Sequence, residues 1–583
     1  MVGLSSEIIV GIDFGTTYSG VSWAVNEGLK KIRLITDWPN LGEAIANQDK
    51  VPSTISYNNG QVANWGYEVT FRDESFKWIK ILLEPNSKYA TTVQEVRDSN
   101  ELLRRLGKTA EEVVRDYLRE IWRYTKEDIR KRVGDNDWEN NFSIHIVFTV
   151  PAMWSHLAKD KTLKVARAAG LPGNIKLVTE PEAAALATLH DKAEENSLAP
   201  GDTFVVCDAG GGTVDLISYK VNRVKPLGIE ECAIGDGGLC GSIFLDTSFE
   251  KHICTLVGER EYSRIRPLDK RRMMKMFELG VKRSFTLESN KDYSVELIGV
   301  EDNPDEGIVE DMINLETSML RTVFDYVCGQ IDTLIQRQVN QVQDKGSTVK
   351  AILLVGGFGA SKYLHKRIEN SYSSLGIRVL QVDGAWSAIC RGACLWGLEH
   401  TQNLGSITRA ELKPTLSSWL ARYSLGVSAS VPFDPARHLW QDRILHRAKN
   451  KYYASDQMIW LLRRGETVTQ DRVLHTKLVN SVHGVGFTSS GTRQFSHELL
   501  YSDESEPPSR QNEKVKQLCS VEFGVPETKI WKEKSYTSGA VAGKWRDMVF
   551  DLSVNLGNTS LDFVVAHKSE PLGSVEATYL QHS

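Results

Sequence analysis

The sequence predicts an α/β protein followed by a smaller β-rich region, and three observations carry that expectation. Strand-like and helix-like segments alternate through the first two-thirds of the 583 residues. Two strand-like runs in that part end in the same kind of loop: an Asp, then glycines, then a hydroxyl residue. From about Tyr423 onward, Val, Thr, Phe and Ser recur in short runs broken by Gly, Pro, Asp and Asn, and long amphipathic helices are scarce.

The elements follow in order. Ile8–Ile12 is a short apolar run leading to Asp13 and Gly15. Ser143–Val150 is rich in β-branched residues and reads as a strand. Ser155–Ala169 carries lysines on one face and Leu157, Leu163 and Ala166 on the other, and Gly170 with Pro172 beyond ends it as a helix. Thr179-Glu180-Pro181-Glu182 has capping-box spacing before the Ala183–Leu189 run. Thr203–Cys207 and Ala351–Val355 read as buried strands ended by Asp or Gly. Ala410–Ala421 reads as a connection. In the last third Met458–Leu462, His497–Tyr501 and Val549–Val554 read as strands, Asn555 and Gly557-Asn558 as turns, and Ser502–Asn512 as a polar loop.

Composition narrows the partners. Seventy Lys and Arg against 75 Asp and Glu leave a net charge of −5, so neither nucleic acid nor an anionic membrane is an expected partner. Eight cysteines are too sparse for a disulfide scaffold, and the closest pair, Cys390 and Cys394, does not make a C-x-x-C. The amino end lacks a basic, apolar leader, and no run reaches the ~18 apolar residues of a membrane helix. These features predict a soluble protein of a reducing compartment, cytoplasmic or also nuclear. Of the 14 tryptophans, Trp23, Trp78, Trp386 and Trp396 lie in apolar segments and read as core.

The duplicated loop carries the chemistry. Asp13-Phe14-Gly15-Thr16-Thr17 follows one strand, and Asp208-Ala209-Gly210-Gly211-Gly212-Thr213 follows another. Glycines let successive backbone N–H groups close on an anion, and the threonines add donors. An Asp at each strand end suits the water shell of Mg²⁺. One such loop is equally well a plain strand-to-turn; two facing each other would clamp a polyphosphate. Gly356-Gly357-Phe358-Gly359-Ala360 is a weaker third loop, and Gly235-Asp236-Gly237-Gly238 is by default a turn. None matches a Walker A or a Rossmann fingerprint.

These segments, in this order, resemble the heat shock protein 70 family. Ile12–Ser19 looks like its first phosphate loop, Val150–Leu171 and Thr179–Leu189 like the segments after it, Cys207–Asp215 like the second phosphate loop, and Leu353–Leu364 like the adenosine loop. Gly237–Asp246 and Ala385–Ala393 look more like the divergent branch of the family. The resemblance implies an actin-like ATPase of two lobes, each with a ribonuclease-H-like core, holding ATP or ADP with Mg²⁺ in the cleft. It implies domains of 1–402, a linker over 403–421, and a β-rich region over 422–583.

The resemblance also implies roles. Asp13 and Asp208 would hold Mg²⁺ through water. Gly15, Thr16, Thr17 and Tyr18, with Gly210, Gly211, Gly212 and Thr213, would line the β- and γ-phosphates, and Gly238 would join the nucleotide contacts. Glu180, Asp208, Asp215 and Thr213 would form the polar cluster around the attacking water. Lys80 would be the catalytic lysine, with Lys77 as its rival. Gly356, Gly357, Lys282 and Arg283 would reach the adenosine. Some positions depart from the pattern. Leu279 stands at the motif glutamate with Glu278 one position off, Ala360 replaces an adenine-stacking arginine, and Lys159 replaces a basic residue that is usually arginine.

The last third resembles the family's substrate-binding β-sandwich more faintly, at Arg422–Val431, Met458–Val468 and Phe550–Lys568. On this reading the family's acidic interdomain linker, helical lid and acidic tail are not expected in this sequence. The expected function is a slow Mg-dependent ATPase with a chaperone-like β-region that takes a peptide or protein client, with co-chaperones or exchange factors as further partners. The alternatives are an ATP sensor that does not hydrolyse and, behind it, a small-metabolite kinase.

Overall fold

The computed structural model describes residues 6–42, 47–70, 72–84, 93–173, 175–191, 198–224, 227–288, 291–381, 384–400, 415–469, 471–484, 491–539, 541, 543–557, 561–572 and 576–579. The chain divides into two compact units. One comprises Met1–Trp154 and Lys161–Leu416, the other Ser155–Asp160 and Ser417–Ser583.

The larger unit contains the same sheet twice. In its first lobe β1 (Glu7–Asp13), β2 (Tyr18–Val25), β3 (Arg33–Leu34), β4 (Ser143–Val150) and β5 (Ile175–Thr179) run in the order β3-β2-β1-β4-β5. The first three are antiparallel, whereas β1, β4 and β5 are parallel. In the second lobe β6 (Thr203–Ala209), β7 (Val214–Arg223), β8 (Gly228–Gly238), β9 (Val349–Val355) and β10 (Arg378–Gln381) repeat it as β8-β7-β6-β9-β10, with the same directions. Each lobe has its own apolar core. Val10, Phe14, Trp23, Tyr117 and Phe148 belong to one; Val205, Phe249, Phe277, Phe324 and Phe358 belong to the other. The central strand of the second lobe is buried on both faces: every residue of β6 is buried, and its composition is Thr, Phe, Val and Ala with one Cys and one Asp.

Two helices fill matching places after the last strand of each lobe, Glu180–Asp191 after β5 and Ala388–His400 after β10. They meet through small side chains. A Cβ on Gly392 would collide with the Ala183 carbonyl, and one on Gly11 with the backbone at Cys390 and Cys394. Arg391 also pairs with Asp191 at 2.5 Å. The expected capping box at Thr179 is half made. The Glu182 carboxylate accepts the Thr179 N–H, but Thr179 Oγ1 has no hydrogen-bond partner among the described residues.

Glu182 is buried, and its carboxylate also accepts the Trp396 indole N–H at 3.2 Å. Burial pushes its acid up to about 7, against the pull of the Trp396 and Thr179 hydrogen bonds. The folded state thus holds this proton more tightly than the unfolded chain does. The associated stability is complete below about pH 4.5 and is lost as pH rises through 7. Glu182→Gln, which keeps an acceptor for Trp396, is expected to stabilise the protein by up to about 3 kcal/mol at pH 8 and by little at pH 4.5. Denaturant unfolding at both pH values checks this, and an equal effect at both would refute it.

The second unit is a β-sandwich. One sheet runs Arg443–His446, Lys451–Leu462, Ser424–Pro432, Thr492–Ser502, Lys516–Pro526 and Glu576–Tyr579, all antiparallel. The other is built on Val473–His483, Lys544–Leu556 and Leu561–His567. Phe550 of the second sheet meets Phe495 and Phe523 of the first, each at 4.9 Å between ring centres, so the rings of both inner faces form one core. Three expectations change here. Leu416–Leu420, inside the expected linker, is a strand that pairs with Thr467–Thr469, because Leu416, Trp419 and Leu420 are buried. Asn555 is a strand residue opposite Val473 and Asp562, with its polar side chain exposed. Gly228–Gly238, expected to end in a turn, is β8 to its last residue. Residues 403–414 of the expected linker, Asn558 of the expected turn, and the first five residues lie outside those described.

Candidate functional site

The two lobes bring their first strands to one cleft, and each strand ends in an aspartate. Asp13 faces Gly20 across the β1–β2 hairpin as Asp208 faces Asp215 across β6–β7. The first loop is tied back by Ser53. Its hydroxyl donates to the Gly15 carbonyl at 2.7 Å, and its N–H donates to the Thr17 carbonyl at 2.8 Å. The second loop closes on itself through Gly210 N–H to the Thr213 carbonyl at 3.0 Å. The carbonyls of Gly210, Gly211 and Gly212 accept the N–H groups of Ser242, Ile243 and Gly241 at 2.9–3.2 Å. These bonds turn several loop carbonyls away from the cleft, an arrangement that suits an anion site.

The loops touch each other. A Cβ on Gly211 would collide with the Thr17 side chain, and one on Gly212 would lie 2.6 Å from the Trp78 ring. Trp78 itself has φ 55°, in the left-handed region that bulky residues avoid. Gly356 has φ +84°, and a Cβ there would lie 2.5 Å from both the Ala209 carbonyl and Asp208 Oδ1. The third loop can therefore approach the second only with glycine at that position.

Beneath the loops lies a charge cluster. Lys80 is buried, its ammonium paired with the Glu180 carboxylate and 5.4 Å from the Trp154 ring. Lys77 is exposed, and its backbone exchanges hydrogen bonds with the Ser99 hydroxyl. Of the two candidate lysines, then, Lys80 sits among the carboxylates. Thr213 Oγ1 donates to Asp215 at 3.3 Å. Burial and the Glu180, Asp215 and Asp13 carboxylates hold the Asp208 acid well above its ordinary range. Burial raises the Glu180 acid against the pull of Lys80, and burial raises that of Asp215. Lys50, which sequence reasoning missed, is buried and pairs with Asp13 Oδ2 at 2.5 Å. Four carboxylates against two ammonium groups leave two negative charges in excess when all are ionised.

That surplus on an all-oxygen donor set fits a hard divalent cation. Among the described residues no three His, Cys, Asp or Glu side chains converge closely enough to ligate an ion directly.

The expected adenosine pair, Lys282 and Arg283, has two different partners. Lys282 is engaged by Asp246 at 2.7 and 2.9 Å. Arg283 instead lies over the Trp386 ring, 5.8 Å from its centre. Phe277–Val281 is a π-helix, which holds one residue more per turn than an α-helix. That extra residue accounts for Glu278 standing one position off the expected glutamate. The π-turn still brings Glu278 to the cleft, where it accepts the Tyr18 hydroxyl at 3.4 Å. Burial and Glu278 together hold the Tyr18 phenol well above its usual range. Gly238, at the end of β8, pairs with Val214, the residue after the second loop, and a Cβ there would lie 3.2 Å from Leu334 Cδ1.

A twice-repeated ribonuclease-H-like sheet, with an Asp–Gly–Thr loop from each copy meeting in one cleft, defines a two-lobed, actin-like nucleotide-binding fold. The model of the Hsp70 protein family matches residues 92–397, more than half of the chain. The chain belongs to the Hsp70 family. Heat shock 70 kDa protein 12A of Mus musculus is 25% identical over 479 residues, covering 67% of this chain and 69% of the relative. Heat shock 70 kDa protein 12B of Homo sapiens is 22% identical over 527 residues, covering 74% and 73%. Chaperone protein DnaK of Mesomycoplasma hyopneumoniae (strain J) is 25% identical over 405 residues, covering 68% and 58%. A further model, a domain of unknown function (DUF8568), matches residues 419–579. No helix among the described residues is long and apolar enough to cross a membrane.

Proposed function

We propose that this member of the Hsp70 family binds ATP in the interlobe cleft and hydrolyses it slowly to ADP and phosphate, and that its β-sandwich takes a protein or peptide partner. The observation that carries the catalytic part is the buried Lys80–Glu180 pair, set beneath two facing glycine loops and beside Asp208 and Asp215. The loop amides and the Thr16, Thr17 and Thr213 hydroxyls hold the β- and γ-phosphates. The Lys80 ammonium offsets charge that develops on the γ-phosphoryl oxygens as its bond to ADP breaks. Glu180 and Asp215 orient the attacking water, and the Glu180 carboxylate, made more basic by burial, accepts its proton. A magnesium ion at Asp13 and Asp208, when bound, neutralises phosphate charge.

Asp208→Asn tests this without burying a new charge, because asparagine is neutral and nearly the same shape as aspartate. Single-turnover phosphate release is expected to fall about 100-fold or more while the melting temperature is kept. Unchanged release in the folded variant would refute the assignment.

A second reading, an ATP sensor without turnover, is favoured by Lys50. Its ammonium occupies an oxygen of Asp13, the carboxylate expected to face the metal waters. ATP binding without phosphate release from the unaltered chain would establish that reading instead.

A further inference from the structure

We propose that Trp386 is the platform on which the base of the bound nucleotide stacks, with Arg283 as the second flat group beside it. This rests on the ATP-binding reading and names what holds the base. Sequence patterning places Trp386 in the core. In the structure it is only half-buried, and three separate segments of the cleft converge on its ring. From the third glycine loop, the Cβ position of Gly357 lies 3.2 Å from both indole Cδ1 and Nε1, so the absence of a side chain there lets the ring lie against the loop. From the first phosphate loop, Tyr18 meets the ring edge-on, 5.3 Å between centres and at 75°. From the π-helix side, the Arg283 guanidinium lies 5.8 Å from its centre.

Tyr18 directly follows Thr16 and Thr17, so the same short segment links the phosphate end of the cleft to this ring. Ala360, in the third loop, is too small to stack. The indole supplies the broad face that Ala360 cannot, and the guanidinium plane supplies another. Stacking of this kind acts on the base alone and is blind to phosphate. The proposal therefore separates the two ends of one ligand.

The test titrates the full chain, Trp386→Ala and Trp386→Phe with ATP and with tripolyphosphate, which has no base, in magnesium buffer by calorimetry. Trp386→Ala is expected to raise the ATP Kd about tenfold or more and to leave the tripolyphosphate Kd within about twofold, while Trp386→Phe keeps ATP within about threefold. Unchanged melting temperatures show that the fold is intact. The platform is overturned if Trp386→Ala binds ATP like the unaltered chain, or loses tripolyphosphate to the same degree. Failure of the unaltered chain to bind ATP would instead overturn the nucleotide reading itself, and this assignment with it.

Discussion

Lys80→Ala is expected to cut phosphate release by about 10²–10³-fold, the usual cost of removing one aimed charge from a developing transition state. Lys80 is 3% exposed and paired with Glu180, so its ammonium is held by burial as well as by charge. Removing it leaves a buried carboxylate beside Asp13 and Asp215, both of which already raise the Glu180 acid. Breaking a buried pair in this way costs about 3–5 kcal/mol when the remaining charge stays ionised. Glu180 escapes part of that cost by taking up a proton. The variant should therefore fold with a lowered melting temperature, and Lys80→Met with Glu180→Gln should recover it without restoring turnover. ATP affinity should change little, because the loop amides and hydroxyls remain. Calorimetric binding beside single-turnover phosphate release separates the effects. Turnover kept in a folded Lys80→Ala protein would remove this lysine from the mechanism.

The second large effect concerns the fold. Gly392→Ala should destabilise the protein by about 2–3 kcal/mol. In a helix interior the same change ordinarily stabilises by up to about 1 kcal/mol. At Gly392 the added methyl would meet the Ala183 carbonyl, a backbone atom that cannot turn aside, at the crossing of the two matched helices. Gly329, inside the Thr317–Asp344 helix, is the control, since a Cβ there meets only the Arg367 side-chain tip at 3.7 Å. Gly329→Ala should be neutral or stabilising. Denaturant unfolding of both variants decides it, and equal effects would show that the crossing tolerates the methyl.

What could be read from the sequence was what local pattern dictates. The β-branched runs placed β1, β4, β6 and β9. The Asp–Gly–Thr repeats mark both loops, and Gly170, at φ +93°, ends its helix as the sequence predicts. What could not be read depends on residues far apart in the chain. Lys50 reaches Asp13 from 37 residues away and Lys80 reaches Glu180 from 100 away. No local signal distinguishes either from a solvated lysine. Trp386 looked like core because an apolar neighbourhood does not reveal which face meets a cleft. The π-turn at Phe277–Val281 was visible only as a one-residue mismatch at Glu278. Gly235–Gly238 looked like a turn because glycine is frequent in turns, yet these glycines stand where strands pass closely: a Cβ on Gly237 would lie 3.0 Å from the Val214 carbonyl.

The central claim is that ATP held between the two loops is hydrolysed there. Its most direct test is a single turnover. The full chain is mixed in excess with γ-labelled ATP and magnesium, and bound nucleotide and released phosphate are followed together. The account predicts that bound ATP is converted to ADP with one phosphate released per site, slowly, and that Asp208→Asn stops the conversion. ATP that stays bound and intact, or that does not bind at all, would contradict it.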